Sequence, residues 1–409
     1  IDPKFITFLD REGIEYYFGS TPEHMGSFDI VVLSPGVKPN LTFLNDGRNH
    51  GVEVIGELEM AYRLSYGKFV AITGTNGKTT TTSLVGKIFE ESGRKYTVVG
   101  NIGVATISKV QDSADDEWMI TEASSFQLET VSRFKPVVSA ILNFTPDHLN
   151  RHGSMEAYGA CKAAIGKNQT SDEYMVINYD DKACLALGDN TKARLVPFSR
   201  TEELDFGAYI DDSYIVIRDE NGIVHQICSK DELKIIGNHN IENALAAAAI
   251  SFFASIDAAV IADALKKFPG VEHRLEKVCK VAGVQYINDS KATNVDACWY
   301  ALESMRTPTI LIIGGKDKGN DYNSIKDLVK QKCAGIVYLG ADNKKLHDNF
   351  DDLGLPIRDT HSMKDCVAAC AELAKPGDTV LLSPCCASFD LFKNMEDRGE
   401  QFKSYVRAL

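Results

Sequence analysis

Phe69-Val70-Ala71-Ile72-Thr73-Gly74-Thr75-Asn76-Gly77-Lys78-Thr79-Thr80 is the stretch that decides the fold. Residues 69–72 read as a buried strand, the next five as a loop of small and polar residues, and the segment from Lys78 towards Glu91 as a helix. Small residues let backbone N–H groups close on a triphosphate, and the dipole of the helix behind them favours its negative charge. In that arrangement Lys78 reaches the β- and γ-phosphates and Thr79 offers its hydroxyl to Mg²⁺. The competing reading is a glycine turn that merely starts a helix; strand, loop, Lys-Thr and helix in this order favour the phosphate site. The loop departs from the standard spacing, because Ile72 stands where a glycine is expected and Gly74 lies only three residues before Gly77.

Outward from this loop, β-branched runs at 30–33, 96–99, 118–120 and 138–142 alternate with segments of helical spacing. Strands buried on both faces look like this, and the alternation predicts parallel α/β sheets. The rhythm changes after Tyr174, where residues 214–218 and 223–228 flank Asn221-Gly222, a hairpin signal that predicts an antiparallel patch. It resumes at 284–287, 309–313, 336–339 and 379–382, beyond the break Phe268-Pro269-Gly270. Three domains are expected: a small α/β piece at 1–66, a central domain at 67–270, and a doubly wound domain at 271–409.

The composition narrows the function classes. Of 409 residues, 44 are Lys or Arg and 57 are Asp or Glu, a net charge of −13 that argues against nucleic acid and anionic membrane as partners. The most apolar stretch, residues 244–256, is shorter than the ~20 residues needed to span a bilayer and reads as a buried helix. Ten cysteines without a CxxC pair fit a reducing cytoplasm rather than a disulfide scaffold or a zinc ribbon. The sequence begins at Ile1 with no charged-then-apolar leader, so no signal peptide is expected.

Three further residues are candidates. Glu122 leaves the strand at 118–120 and reads either as a solvated residue or as a ligand of a nucleotide-bound Mg²⁺. His148, beside Asp147 and near Arg151, follows the next strand end, where a metal or substrate contact is credible. Lys162 sits in Tyr158-Gly159-Ala160-Cys161-Lys162-Ala163-Ala164 and, taken alone, reads as a snorkelling surface lysine.

Together with Gly237-Asn238-His239-Asn240-Ile241-Glu242-Asn243, these motifs make the chain resemble the Mur ligase family over nearly its whole length. Within that family the runs 124–128, 287–294 and 383–390 are most similar to members that add D-glutamate to UDP-N-acetylmuramoyl-L-alanine. The resemblance implies a partial Rossmann-like N-terminal domain, a central P-loop-type ATP-binding domain and a C-terminal Rossmann-like domain. It implies a monomeric, cytoplasmic ATP-dependent amide ligase of peptidoglycan precursor synthesis, working through an acyl phosphate with ATP and two Mg²⁺ ions. Residue by residue, it assigns Gly74, Thr75, Asn76, Gly77, Lys78, Thr79 and Thr80 to the ATP phosphates, and Asn240, Asn243, Arg274, Asp289 and Lys291 to the rest of ATP. It assigns Thr79, Glu122, His148 and a carbamylated Lys162 to the metals, with Lys78, His148 and Lys162 catalytic. Asn101 in Gly100-Asn101-Ile102-Gly103, His148, Ser34 and Gly36 fall to the UDP-substrate, and Thr293, Lys318, Ser388 and Met395 to D-glutamate.

Two positions depart from the family. Met395 stands where an aromatic residue is usual, and Lys316 rivals Lys318. No glycine-rich turn precedes Asp29, so the expectation is that a few tens of residues of the N-terminal domain are missing and that the UDP-substrate is taken up poorly. Rivals are a sister ligase, a folylpolyglutamate synthase, a nucleotide-binding regulator on the same scaffold, and a P-loop kinase or GTPase. The Asp-Asn-Pro-Arg run common in ligases for diaminopimelate or lysine does not occur. A regulator would be expected to have lost Glu122, His148 or Lys162, which are all present.

Overall fold

The computed structural model describes residues 3–102 and 104–409; Ile1 and Gly103, named above, lie outside the described residues. The first sheet pairs β1 (Ile30–Leu33) with β2 (Glu53–Gly56) in parallel, Leu33 opposite Gly56. Met25, Leu33 and Leu44 form its small core.

The second sheet holds nine strands: β3 (Lys68–Thr73), β4 (Tyr96–Gly100), β5 (Trp118–Glu122), β6 (Val138–Ile141), β7 (Tyr174–Asn178), β8 (Arg194–Ser199), β9 (Gly207–Asp211), β10 (Tyr214–Arg218) and β11 (Val224–Ser229). Their order is β11-β10-β9-β8-β7-β6-β3-β5-β4. The parallel arrangement persists beyond Tyr174 through β7 and β8, and the antiparallel β9–β10–β11 patch extends the same sheet rather than interrupting it. The sequence hides this continuation because the crossover between β7 and β8 is a four-residue helix, Lys182–Leu185, followed by a short 3₁₀ turn, and Pro197 breaks the apolar run of β8.

β3 lies mid-sheet between β5 and β6, with Val70 and Ile72 fully buried. The chain order reverses across β3, so the carboxyl ends of β3, β5 and β6 open into one crevice, where open α/β sheets bind ligands. The Lys78–Glu91 helix and the Asn238–Phe253 helix share the core cluster under that crevice, and residues 244–250 are wholly buried.

The third sheet is β12 (Glu276–Val281), β13 (Val284–Asn288), β14 (Thr309–Gly314), β15 (Cys333–Leu339), β16 (Ile357–Thr360) and β17 (Thr379–Cys385), ordered β12-β13-β17-β14-β15-β16. All its pairs are parallel except β12–β13. Leu311, Ile313 and Leu381 pack into one core, and Ile310, Ile312, Val380 and Leu382 into another on the opposite face. Alternate residues therefore feed two apolar layers, the doubly wound arrangement. All ten cysteines are free thiols. No helix among the described residues is long and apolar enough to cross a membrane.

Candidate functional site

The loop after β3 is clamped from several sides. Gly77 has φ 80° and precedes the Lys78–Glu91 helix; a Cβ there would lie 2.3 Å from Asn243 Oδ1. Asn143, just past β6, accepts from Asn76 N–H at 2.8 Å and donates its amide to Asn76 O at 3.1 Å. Thr75 Oγ1 donates to Thr145 O, accepts from Thr145 N–H, and lies 3.4 Å from Tyr158 OH. Lys78 Nζ curls back to donate to Gly74 O and Thr75 O. Burial pushes its pKa down, Arg274 and Lys291 push the same way, and Glu122 and Asp147 oppose them. Thr79 and Thr80 are buried, and Thr80 Oγ1 has no hydrogen-bond partner among the described residues.

Glu122, at the end of β5, is 1 % exposed. Its Oε1 accepts from Asn101 Nδ2 at 2.9 Å, while the buried Oε2 has no hydrogen-bond partner among the described residues. A buried carboxylate oxygen left open is costly unless a cation meets it, and oxygen donors such as Glu122 and Thr79 suit a hard ion like Mg²⁺. His148 adopts a left-handed conformation (φ 53°) that directs the chain into the Leu149–His152 turn; it is exposed, with Nε2 3.5 Å from Asp147 Oδ2.

Lys162 overturns the surface reading. It is 1 % exposed on the Met155–Ala163 helix, its Nζ 4.6 Å from the centre of the Tyr158 ring, and among the described residues it forms no ion pair. Burial, reinforced by the positive Lys78, holds its pKa well below the usual lysine value, so the amine is biased towards its neutral form.

Across the crevice stand residues of the third sheet. Asp289 accepts from Leu275 N–H and Ser383 Oγ–H, and its burial raises its pKa to about 7. Lys291 has its pKa lowered by burial and then by Arg274, whose buried Nε has no hydrogen-bond partner among the described residues. A cavity of about 560 Å³ lies between the two sheets, lined by Asn76, Gly77, Asn243, Arg274, Asp289 and Tyr300 among others. Of the expected pair, Asn243 lines the cavity, whereas Asn240 braces it by accepting from Asn243 Nδ2 and donating to Ile236 O.

The residues expected at the amino acid are less enclosed. Thr293 and Lys318 are exposed, Met395 is half-buried, and Ser388 is 2 % exposed. The loop carrying Lys318 is held by Asp317, which accepts from Gly319 N–H, Asn320 N–H, Tyr322 OH and Lys345. Lys316 is also exposed, so exposure does not separate the rivals. Buried Arg398 donates to Ser290 O and Cys386 O, joining the loops after β13 and β17. On the opposite side, Ser34 and Gly36 are exposed, and Arg151 holds their turn by donating to Gly36 O and Val37 O.

Sequence reasoning missed Asn143, His239 and Tyr300. Asn143 follows a strand end as Glu122 does, and the same rule would have found it. His239 lines the cavity with Nδ1 buried and without a hydrogen-bond partner among the described residues, and burial lowers its pKa to about 4. Tyr300 carries no local signal.

Residues 72–251 match the Mur ligase middle domain and residues 273–386 the Mur ligase, glutamate ligase domain. The chain is 46% identical over 414 residues to the UDP-N-acetylmuramoylalanine--D-glutamate ligase of Bacteroides fragilis, covering 100% of this chain and 92% of that protein. It is 44% identical over 400 residues to the ligase of the same name from Thermoanaerobacter sp. (strain X514), covering 97% and 88%. Its fold resembles the crystal structure of MurF ligase from Thermotoga maritima in complex with ADP, with a TM-score of 0.63 at 14% identity, covering 95% of this chain and 100% of that one. With such likeness along its whole length, this chain belongs to the Mur ligase family.

Proposed function

We propose that this ATP-dependent ligase of peptidoglycan synthesis joins the amine of D-glutamate to the carboxylate of UDP-N-acetylmuramoyl-L-alanine. The names of its relatives support that choice of substrates. The structural observation that supports the mechanism is Lys162, buried with no ion pair among the described residues and held towards a neutral amine.

Amide formation from a carboxylate is uphill in water, so the carboxylate is first phosphorylated by ATP. The amine then attacks the acyl phosphate and expels phosphate. Two anions must approach each other, and Lys78, Arg274 and Lys291 supply positive charge where they meet. The loop 74–77 cradles the phosphates with backbone N–H groups, and Asn243, Arg274 and Asp289 line the cavity that takes the rest of the nucleotide. Thr79, Glu122, His148 and a carbamylated Lys162 would hold Mg²⁺, which when bound screens the triphosphate from the attacking carboxylate. A neutral Lys162 amine reacts with carbon dioxide and releases a proton, converting a cation that would repel metal into an anionic oxygen donor. In this reading Asn101, Ser34 and Gly36 would contact the sugar nucleotide, and Thr293, Lys318, Ser388 and Met395 the amino acid. The three-part division at 1–66, 67–270 and 271–409 separates these substrates before they meet. These are the substrates of cytoplasmic precursor synthesis.

Phosphate release from ATP, measured with the UDP-muramoyl-alanine acceptor and a panel of D- and L-amino acids, tests the reading. Release should depend on D-glutamate; equal release with L-glutamate would overturn it.

A further inference from the structure

Next to Lys162, but outside the groups used above, three side chains of different chemistry converge. Glu129 follows the Ser125–Leu128 helix, His152 closes the Leu149–His152 turn, and Cys161 lies on the Met155–Ala163 helix. His152 Nδ1 is 3.2 Å from Glu129 Oε1 and 3.7 Å from Cys161 Sγ, and the three ligand atoms lie within 4.8 Å of one another.

We propose that Glu129, His152 and Cys161 form a binding site for a thiophilic divalent cation of the Zn²⁺ type, with water as fourth ligand. Carboxylate, imidazole and thiolate donors stand roughly 2.0–2.3 Å from a tetrahedral Zn²⁺. Simple trigonometry then places them roughly 3.3–3.6 Å from each other, close to the spacing found around Nδ1. A nitrogen–sulfur–oxygen set selects a softer ion than Mg²⁺, which takes oxygen donors.

The surroundings are those of a built site. Ser125 Oγ lies 3.0 Å from His152 Nε2 and can accept a hydrogen bond from Nε2–H, the tautomer that leaves the Nδ1 lone pair for a metal. Arg151 grips both oxygens of Glu129, Nη2 donating to Oε2 at 2.7 Å and Nε to Oε1 at 3.3 Å, which fixes the carboxylate beside His152 and leaves Oε1 its second lone pair for a metal. The His152 side chain is 2 % exposed and that of Glu129 11 %. On binding, the Cys161 S–H bond breaks, its proton passes to solvent, and a sulfur–metal bond forms with no change of oxidation state. The rival arrangement is a His152–Glu129 hydrogen bond with a bystander thiol.

Through Arg151 the cluster also reaches the turn at Gly36 and Val37. A bound cation would tie that turn to the segments carrying His148 and Lys162.

Titrating the purified chain with Co²⁺ tests the site. The expected result is one equivalent bound with a thiolate-to-cobalt charge-transfer band in the near ultraviolet. That band should disappear in Cys161→Ser, and affinity should fall at least ~10-fold in His152→Gln. As a measurement independent of variants, Zn²⁺ should protect Cys161 from alkylation in peptide mass mapping of the unmodified chain. Co²⁺ bound among oxygen donors alone gives no such band, and that outcome overturns the proposal. So does a band that survives in Cys161→Ser, or alkylation of Cys161 unaffected by Zn²⁺.

Discussion

The two walls of the crevice are built to different standards. On the second-sheet wall Lys162 and Glu122 are buried, Lys78 is half-buried, and Asn143, Thr75 and Tyr158 hold the phosphate loop. On the third-sheet wall the loops are braced by Asp317 and Arg398, yet Thr293 and Lys318 stand in solvent. Groups fixed in advance give up little freedom when a ligand arrives, whereas long exposed side chains must be ordered by it. In the proposed function, the second-sheet wall that would take the nucleotide is therefore pre-organised, and the third-sheet wall that would take the amino acid gains its grip as substrates assemble.

The contrast can be broken most severely at Lys162. Lys162→Ala should lower ligation by about 10³-fold or more, and a short-chain acid should restore part of it in a phosphate-release assay. No rescue at any acid concentration counts against the carbamate. Gly77→Ala comes next, since its Cβ would lie 2.3 Å from Asn243 Oδ1 at a φ of 80°. Binding of a non-hydrolysable ATP analogue, followed by calorimetry, should weaken roughly 100-fold, in line with strain of about 3 kcal/mol. Retained affinity would show that the phosphate loop yields to the added methyl group and is not rigidly pre-organised.

Lys318→Ala probes the other wall. It should raise the KM for D-glutamate about 10-fold, the scale of one exposed charge-assisted contact, and leave ATP affinity alone. Lys316→Ala serves as its comparison, and a larger effect there would transfer the role. The smallest effect is on stability and pH. Asp289 has its pKa raised from 3.8 to about 7, so the folded state holds the proton more tightly than the unfolded chain. That contribution is complete below pH 3.8 and is lost as pH rises through about 7. Melting temperatures of the ligand-free chain across this window should decline, and Asp289→Asn should flatten the decline. An unchanged slope would assign it to other groups.

Legibility followed burial. β3, β14 and β17 are apolar throughout or nearly so, because each is covered on both faces, and they stand out from composition alone. β2, β12 and β16 carry Glu53, Glu276, Lys277, Arg358 and Asp359 on less covered strands, and no apolar run announces them. The Asn221-Gly222 hairpin was readable because its turn chemistry is local, while the sheet it joins was not. Among site residues, the loop 73–80 was legible from its own residues. Asn101, Asn240, Arg274 and Thr293 carry no local signal and entered only through the family resemblance.

Some features were settled within a few consecutive residues: the phosphate loop, its left-handed glycine and the helix behind it, since steric demand and helix-terminus electrostatics act over one turn. Tertiary structure alone decided that Lys162 is buried rather than snorkelling, that Arg274 and Lys291 face Lys78, and that Glu129, His152 and Cys161 meet. Burial and electrostatic coupling depend on which distant segments are packed together, and no local pattern of residues specifies that.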